Sequence, residues 1–469
     1  MSREKDLVKN TFLLSLGRFL PKLMHLVTLP IMTACLSKAE YGTVDLVSTL
    51  IMLLIPIATL QIQSAAFRFL IDVRGDVIKS SEVISNILAL VLPISALVAI
   101  GIFVFYPGYG LFFRAVLAFY FWVDSMLATL IQFARGFGRN RVYSTSAVIH
   151  SWTGGIAIVL VLKVFDYGLN GLVVCWAASC FLSLVYLVST LKLRQYIDFH
   201  LVSKQKIKEM ISYSWPLLPN SLSNWALKMS DRMVIRIVWG LEATAVYGVA
   251  NKVPNILALA HSVIVNAWQE NASITVNDED ACDYYSKIFH HIFCLMIGFT
   301  AILIAFTPII FRVFIRGDYE EAYVQLPILI LAMFFYCISG FQGAIYVAHK
   351  RTKSVGITTV IAAVINLAID ILLVKPIGIT AGSVSTLVAY FFLYIYRTFD
   401  SRKFQKLNYN FKKIGFLFGL VTVMLLLCFF KNFYLNCINM AAGIVLFSIL
   451  NKEIIVNIIS KGKSFIKKH

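Results

Sequence analysis

Three basic side chains share one face of the first apolar segment of the chain. Arg18, Lys22 and His25 lie within the run 11–34 at intervals of four and then three residues, so a helix carries them on a single face. A cation turned toward lipid at mid-membrane costs at least about 2.5–3.5 kcal/mol. We therefore expect these bases to face a water-filled cavity or a partner charge, and the chemistry that such a face offers is the binding of an anion.

A second polar stripe of the same kind lies in the segment 211–239. Asn224, Lys228, Asp231 and Arg232 follow one another at helical spacing on one face. Asp231 can pair with Lys228 one turn away, which leaves the charge of Arg232 in excess and makes the stripe cationic. The alternative is a buried ion network that only holds helices together.

Neighbouring segments carry further polar residues that extend the two stripes. Lys252 and Gln269 lie on one polar face of the segment 245–272, and Gln63 aligns with Gln269 when the two halves of the chain are compared. These residues either line the same cavity or, for the two glutamines, make ordinary hydrogen bonds between helices. The predicted substrate-binding set is Arg18, Lys22, His25, Gln63, Asn224, Lys228, Arg232, Lys252 and Gln269.

Four acidic residues also fall inside apolar segments, namely Asp124, Asp231, Glu270 and Asp370. A carboxylate without a partner in a medium of low dielectric constant takes up a proton or a cation more readily than one in water. These acids are therefore candidates for coupling to a proton or sodium gradient. The alternative for Asp124, Glu270 and Asp370 is a salt bridge to Arg18, Lys22 or Lys252.

The elements that must position these residues are membrane-spanning helices. The chain has 469 residues, of which 59% are hydrophobic and 14% charged, with a mean hydropathy of +0.79, a composition typical of integral membrane proteins. We predict an all-α fold of about fourteen helices, with twelve as the alternative count. The predicted segments are 11–34, 43–70, 82–106, 111–134, 142–163, 169–191, 211–239, 245–272, 288–312, 323–348, 354–374, 379–398, 413–430 and 433–450.

The net charge of +18 is a property of the loops on one side of the membrane. Most of the 42 lysines and arginines fall on the side of the N-terminus, whereas the opposite loops hold only Lys38, Lys163, Arg312, Arg316, Lys375 and Lys431. This asymmetry indicates cytoplasmic N- and C-termini and argues against nucleic acid as a partner. The charged N-terminus lacks a small-residue cleavage site, so we expect a retained end, not a signal peptide.

The two halves of the chain resemble a repeat. Without gaps, 13–70 aligns with 219–276 so that Lys22 matches Lys228 and Tyr41-Gly42 matches Tyr247-Gly248. Six helices per half gives two parallel lobes, an arrangement typical of transporters. We predict a six-helix lobe in 1–200, a second in 201–400 around a shared central cavity, and two extra helices with a basic tail in 401–469.

Other kinds of site find little support in the sequence. The eight cysteines lie mostly in apolar spans without CxxC spacing, so we interpret them as packing residues, not as a metal or disulfide framework. No Ser/His/Asp set or carboxylate pair lies on a loop where hydrolysis would be carried out. The absence of long outer loops argues against a membrane glycosyltransferase or polysaccharide polymerase.

Several short motifs resemble those of a known family. They are Leu16-Gly17-Arg18, Leu29-Pro30-Ile31, Ser230-Asp231-Arg232 and Val246-Tyr247-Gly248. The chain resembles the Wzx-type polysaccharide flippases of the multidrug/oligosaccharidyl-lipid/polysaccharide (MOP) exporter superfamily. The resemblance implies two six-helix lobes that alternate in access. It also implies that Arg18, with Lys22 one turn away, serves the pyrophosphate, and that the last two helices form a groove for the lipid tail.

The implied function is that of a transporter, not an enzyme. It is the transfer of a polyprenyl-pyrophosphate-linked oligosaccharide from the inner to the outer leaflet of the bacterial plasma membrane, for capsule or O-antigen-type polysaccharide. Expected partners are that glycan, membrane lipids, and polysaccharide polymerase or assembly proteins, with no cofactor beyond a proton or sodium gradient. The alternative is a cation-coupled small-molecule antiporter of the MATE type, which the excess of bases over acids on the polar faces disfavours.

Overall fold

The fold was analysed in a computed structural model of the chain. It describes residues 20–452 and 456, except residues 22, 25, 277 and 350. Within this part, the side chains of 220, 228, 259, 260, 263, 266, 267, 270, 274 and 352 are not described. The described residues form helices and connecting turns, which confirms the predicted all-α class.

The chain divides into two compact units, Met1–Trp225 and Ala226–His469. The helices of the first unit are α1 (Leu26–Cys35), α2 (Lys38–Thr59), α3 (Ile62–Asp72), α4 (Val77–Phe105), α5 (Leu111–Gly136), α6 (Asn140–Lys163), α7 (Gly168–Leu191) and α8 (Lys204–Ser214). The next helix, α9 (Leu218–Ala250), contains the boundary between the units.

The second unit continues through eight further helices. They are α10 (Asn255–Ile274), α11 (Ala281–Ala305), α12 (Thr307–Phe314), α13 (Ala322–Ala348), α14 (Thr352–Ile377), α15 (Thr380–Ser401), α16 (Phe411–Phe429) and α17 (Phe433–Leu450). Among the described residues, eleven helical segments are long and apolar enough to cross a membrane. The protein is therefore a multi-pass membrane protein.

Four of the predicted segments are interrupted. In the segment 211–239, a 3-10 turn at Trp215–Leu217 separates α8 from α9. The segment 43–70 divides into α2 and α3 because Leu60 and Gln61 adopt left-handed backbone conformations, with φ of 47° and 57°. Pro56, one turn before this break, has no backbone N–H to donate to the helix. The segment 288–312 divides after Ala305, where Pro308 opens α12. The segment 245–272 is interrupted by a turn at 251–254. The predicted loop at 240–244 is instead part of α9, which has a kink at Gly240, where φ is 86°.

Each unit has its own apolar core. In the first unit, small residues of α3 such as Ala65 and Ala66 are fully buried and let α4 and α5 approach closely, with Phe133 of α5 also inaccessible to solvent. In the second unit α13 is the central helix, since nearly all of its apolar side chains are buried. The rings of Trp268 and Phe341 stack there with centroids 4.6 Å apart, and the Trp268 indole donates to the Phe341 carbonyl oxygen at 3.2 Å.

Candidate functional site

The predicted site on the first apolar segment lies outside the described residues. Arg18, Lys22 and His25 are among the residues that the structure does not describe. The backbones of Lys228 and Glu270 belong to α9 and α10, but their side chains are likewise not described. The cationic set built on these positions therefore stays a prediction from the sequence.

Two neutral members of the predicted set lie in the first unit. Gln63 is part of the first turn of α3, half-buried, and its Oε1 is inaccessible to solvent. Asn224 is half-buried on α9. The next residue, Trp225, donates from its indole to the Thr49 carbonyl oxygen at 2.9 Å, which places this part of α9 against α2.

Asp124 lies in the middle of α5, where it has a thiol neighbour. The Cys180 thiol donates to Asp124 Oδ1 at 3.8 Å, a weak hydrogen bond at the distance that sulfur allows. One turn before it, Tyr120 packs against Trp176 with ring centroids 5.6 Å apart. Tyr120 and Trp176 border a cavity of about 230 Å³ that is also lined by His150, Ser151 and Ser179.

Asp231 is the centre of a buried polar cluster in the second unit. Tyr247 donates its hydroxyl proton to Asp231 Oδ2 at 2.6 Å, and Thr386 donates to the same oxygen at 2.7 Å. The second oxygen, Oδ1, is inaccessible to solvent and has no hydrogen-bond partner among the described residues. α9 and α15 thus bring two hydroxyl groups together on one carboxylate that is only 2% exposed.

Asp370 joins this cluster from α14. It interacts electrostatically with Asp231, and it is fully buried with no hydrogen-bond partner for either carboxylate oxygen among the described residues. One turn earlier on the same helix, Asn366 accepts a hydrogen bond from Ser230 at 3.2 Å. The amide of Asn366 donates to Thr386 at 3.4 Å, so α9, α14 and α15 converge at this point.

Arg232 occupies a small cavity beside the same cluster. The cavity has a volume of about 70 Å³, and Asp231, Arg232, Asn251, Asn255, Thr386 and Tyr390 are among its lining residues. The guanidinium carbon of Arg232 lies 5.8 Å from the centre of the Tyr247 ring, within range of a cation–π interaction. A space of this size holds a few water molecules or a small cation but excludes a sugar ring.

Lys252 and Gln269 are not among the residues that line this cavity. Lys252 is half-buried in the turn between α9 and α10, so its expected place inside a continuous helix was wrong. Gln269 is exposed near the end of α10.

Neutral donors of the cluster were not assigned to the site from the sequence. In the sequence, Tyr247 stands out only as part of a repeated Tyr-Gly turn, and Thr386 lies in an apolar segment without a distinguishing motif. The available signal was the spacing of Asn366 and Asp370, one helical turn apart, together with the run of Ser383, Ser385 and Thr386 in an otherwise apolar helix.

The fold and sequence of the chain are similar to those of known transporters. A model of the family described as polysaccharide biosynthesis protein matches residues 7–269, and a MatE family model matches residues 216–372. No curated protein sequence gives a significant match.

Solved structures of MOP-superfamily proteins have a similar fold. A lipid II flippase MurJ in an inward closed conformation has a TM-score of 0.73 at 16% identity, covering 96% of this chain and 100% of its own. An inward-facing multidrug resistance MATE family transporter has a TM-score of 0.69 at 13% identity, with coverages of 83% and 94%. A MOP superfamily transporter from Pyrococcus furiosus, described as having a binding pocket of reverse polarity, has a TM-score of 0.57 at 12% identity, with coverages of 84% and 95%.

Proposed function

Since the chain belongs to the polysaccharide biosynthesis protein family, we propose that it is a flippase for a polyprenyl-pyrophosphate-linked oligosaccharide. The transfer runs from the inner to the outer leaflet of a bacterial plasma membrane by alternating access. The family match over 7–269 is the observation that carries this proposal, because it includes both basic stripes, with Arg18 and Lys22 in one and Lys228 and Arg232 in the other.

The charge of the two stripes is complementary to the proposed headgroup. A pyrophosphate carries two or more negative charges, and in a site of low dielectric constant several lysines or arginines compensate for its lost hydration. Arg18, Lys22, Lys228, Arg232 and Lys252 are the bases that we propose to supply such charges. The proposed substrate thus explains why a membrane protein keeps bases within apolar helices.

The cavity beside Tyr120 and Trp176 in the first unit supports the proposal that the ligand carries a glycan in addition to its pyrophosphate. Its volume of about 230 Å³ accommodates roughly one sugar ring, and Trp176, Tyr120, Ser151 and Ser179 line it. Aromatic faces stack on sugar rings, and hydroxyls exchange hydrogen bonds with sugar hydroxyls.

Coupling to a cation is the second component of the proposal. Asp231 and Asp370 are buried together; Tyr247 and Thr386 donate hydrogen bonds to Asp231, and neither oxygen of Asp370 has a hydrogen-bond partner within the described part of the chain. Arg232 compensates for one negative charge at most. A sodium ion or a proton would compensate for the other, since an uncompensated buried charge is costly. Asp124 and Glu270 stay as candidates for coupling that rest on the sequence.

The test is complementation of a strain from which the gene has been deleted. Arg18→Ala and Lys228→Ala are expected to abolish surface polysaccharide while protein levels in the membrane stay normal. Lys163→Ala, at the C-terminal end of α6, is the matched control and should retain the polymer. Wild-type polysaccharide from both site variants at normal expression would contradict the proposed site.

The MATE-type antiporter is the second candidate function. The MatE family match over 216–372 favours it. Expression in a drug-sensitive strain separates the two, because an antiporter of this class would raise resistance to cationic drugs whereas a glycolipid flippase would not.

A further inference from the structure

A pocket of about 280 Å³ lies where α11 and α16 begin, outside the cluster around Asp231. Its lining has two chemically distinct parts. The polar part consists of Asp283, Ser286, Lys287, His290, His291, Asn408, Asn410 and Lys413, and the apolar part of Phe289, Phe293, Ile414 and Leu417.

The pocket is firmly built, because the loop before α16 is fastened to the first turns of α11. The Cys282 thiol donates to the Lys406 carbonyl oxygen at 2.9 Å, and the Asn408 backbone N–H donates to Ser286 Oγ at 2.9 Å. The Tyr409 ring meets the Phe289 ring edge to face, with centroids 4.8 Å apart. A pocket held at three points in this way does not depend on the arrangement of one flexible side chain.

The polar part of the pocket carries a net positive charge. It contains the two ammonium groups of Lys287 and Lys413, and Asp283 is its only acidic lining residue. Lys413 Nζ donates to His290 Nε2 at 3.1 Å. Because an ammonium group only donates, His290 accepts at Nε2 and is neutral, with its proton on Nδ1. Lys413 retains two further protons for an anionic ligand.

The apolar part of the pocket continues into the membrane. Phe293 lies nearly two turns beyond Lys287 on α11, and Leu417 lies one turn beyond Lys413 on α16. Both helices run on as apolar spans, Ala281–Ala305 and Phe411–Phe429. A ligand that fills both parts therefore needs an anionic head and a hydrocarbon tail.

We propose that this pocket binds an anionic phospholipid of the surrounding membrane. The phosphate diester lies between Lys287 and Lys413, and an acyl chain follows Phe293 and Leu417 along α11 and α16. The charge distribution of the sequence predicts that this side is cytoplasmic, where anionic headgroups attract basic residues. A phospholipid in this position would tie the loop 402–410 and α16 to α11.

The experiment is native mass spectrometry on the purified full-length protein in mild detergent, titrated with phosphatidylglycerol or with phosphatidylcholine of the same acyl chains. The wild type should bind phosphatidylglycerol more tightly. Lys287→Gln should weaken the binding of phosphatidylglycerol about five-fold, because each lysine near an anionic headgroup contributes about a factor of five to the affinity. The double variant with Lys413→Gln should weaken it about twenty-five-fold. Binding of phosphatidylcholine should stay unchanged.

Lys412→Gln is the matched control, because it removes the same charge from the same turn of α16 but from a residue that does not line the pocket. It should bind phosphatidylglycerol like the wild type, as should Lys413→Arg, which keeps the charge. Thermal unfolding of each variant without added lipid checks that folding is intact, and Lys287→Gln alone decides the question if the double variant unfolds.

Three results would overturn the proposal. Equal affinity of the wild type and the lysine variants for phosphatidylglycerol would show that the pocket is not the site. Complete displacement of the lipid by millimolar inorganic phosphate would identify a free-anion site. Displacement by a polyprenyl pyrophosphate at equimolar concentration would assign the pocket to the transported lipid instead of a resident one.

Discussion

Tyr247 and Asp231 are joined by a buried hydrogen bond of 2.6 Å between the phenol and one carboxylate oxygen. The same phenolic oxygen lies 3.2 Å from the Gly382 carbonyl oxygen. Gly382 leaves the room for this approach, since a Cβ there would lie 2.8 Å from the Tyr247 ring. The tyrosine thereby fixes the position of the carboxylate relative to both α9 and α15.

We expect Tyr247→Phe to loosen the cluster around Asp231. The substitution removes one of the two donors to a buried carboxylate, which typically costs about 1–3 kcal/mol. Thermal unfolding in detergent should show a lower midpoint, and transport should show a weaker response to the cation that is coupled.

The matched control is Tyr346→Phe, which removes a hydrogen bond of 2.7 Å to Asp400 in the same unit. It should lower stability and leave the cation response intact. An unchanged cation response in Tyr247→Phe would contradict the role assigned to Tyr247.

A second prediction concerns Asp370. If a sodium ion compensates for the charge of this cluster, sodium should raise the unfolding temperature of the wild type, because a ligand that binds only the folded state adds about 2.7 kcal/mol at one hundred times its dissociation constant. Asp370→Asn should abolish the sodium response. It should not lower stability in sodium-free buffer, because it removes a buried charge whose oxygens lack hydrogen bonds among the described residues.

The same unfolding measurement in potassium at equal ionic strength distinguishes specific binding of sodium from general screening of charges by salt. Asp400→Asn serves as the control, because Asp400 pairs with Lys403 at 2.8 Å on the exposed end of α15 and its loss should leave the sodium response unchanged. A sodium response that persists in Asp370→Asn would exclude this residue. A proton gradient that drives transport without sodium would identify the proton as the coupled cation.

The third prediction is a pH effect at the start of α4. The Lys79 backbone N–H donates to Asp76 Oδ1 at 3.0 Å, and this hydrogen bond, with help from the Lys79 side chain, lowers the pKa of Asp76 below its usual value. A lowered pKa in the folded state means that ionised Asp76 stabilises the fold above the unfolded-state pKa of about 4. That contribution is lost as the pH falls through the folded-state pKa.

The comparison that isolates this effect is Asp76→Asn. Asparagine is also a good N-cap but does not titrate, so the difference in unfolding temperature between wild type and variant should be present at pH 7 and shrink progressively as the pH falls below about 4. Asp72→Asn is the control for removal of a nearby charge, because the Asp72 carboxylate pairs with Arg68 on the exposed end of α3. A difference that does not change with pH would contradict the assignment.

The helices could be predicted from the sequence, since each apolar run of suitable length has a helical counterpart. The breaks could not all be predicted. Pro308 gives a visible signal for the end of α11, but the left-handed pair Leu60 and Gln61 carries no glycine. The Gln61 amide donates to Ser221 Oγ at 2.6 Å, a contact between residues distant in sequence that no local pattern encodes.

Contacts between helices at the candidate site could not be predicted from the sequence either. Asp231 and Asp370 could be identified one by one, because a carboxylate in an apolar helix is costly wherever it lies. Their proximity follows from the packing of α9, α14 and α15, and sequence periodicity describes one helix at a time. For the same reason the sequence does not reveal that Arg232 lies at a cavity of about 70 Å³ beside Asp231.

A fourth prediction follows from Arg397, which is 4% exposed on α15. Its guanidinium donates to the Ser339 carbonyl oxygen at 2.9 Å, and its Nη2 donates to Thr358 at 3.0 Å and Thr359 at 3.1 Å. These bonds join α13, α14 and α15. Arg397→Lys should destabilise the fold by about 2–3 kcal/mol, because one ammonium group cannot reach acceptors on both neighbouring helices. Arg402→Lys, at an exposed position after α15, should change the unfolding temperature little. If both variants unfold at the wild-type temperature, the Arg397 hydrogen bonds do not hold these three helices together.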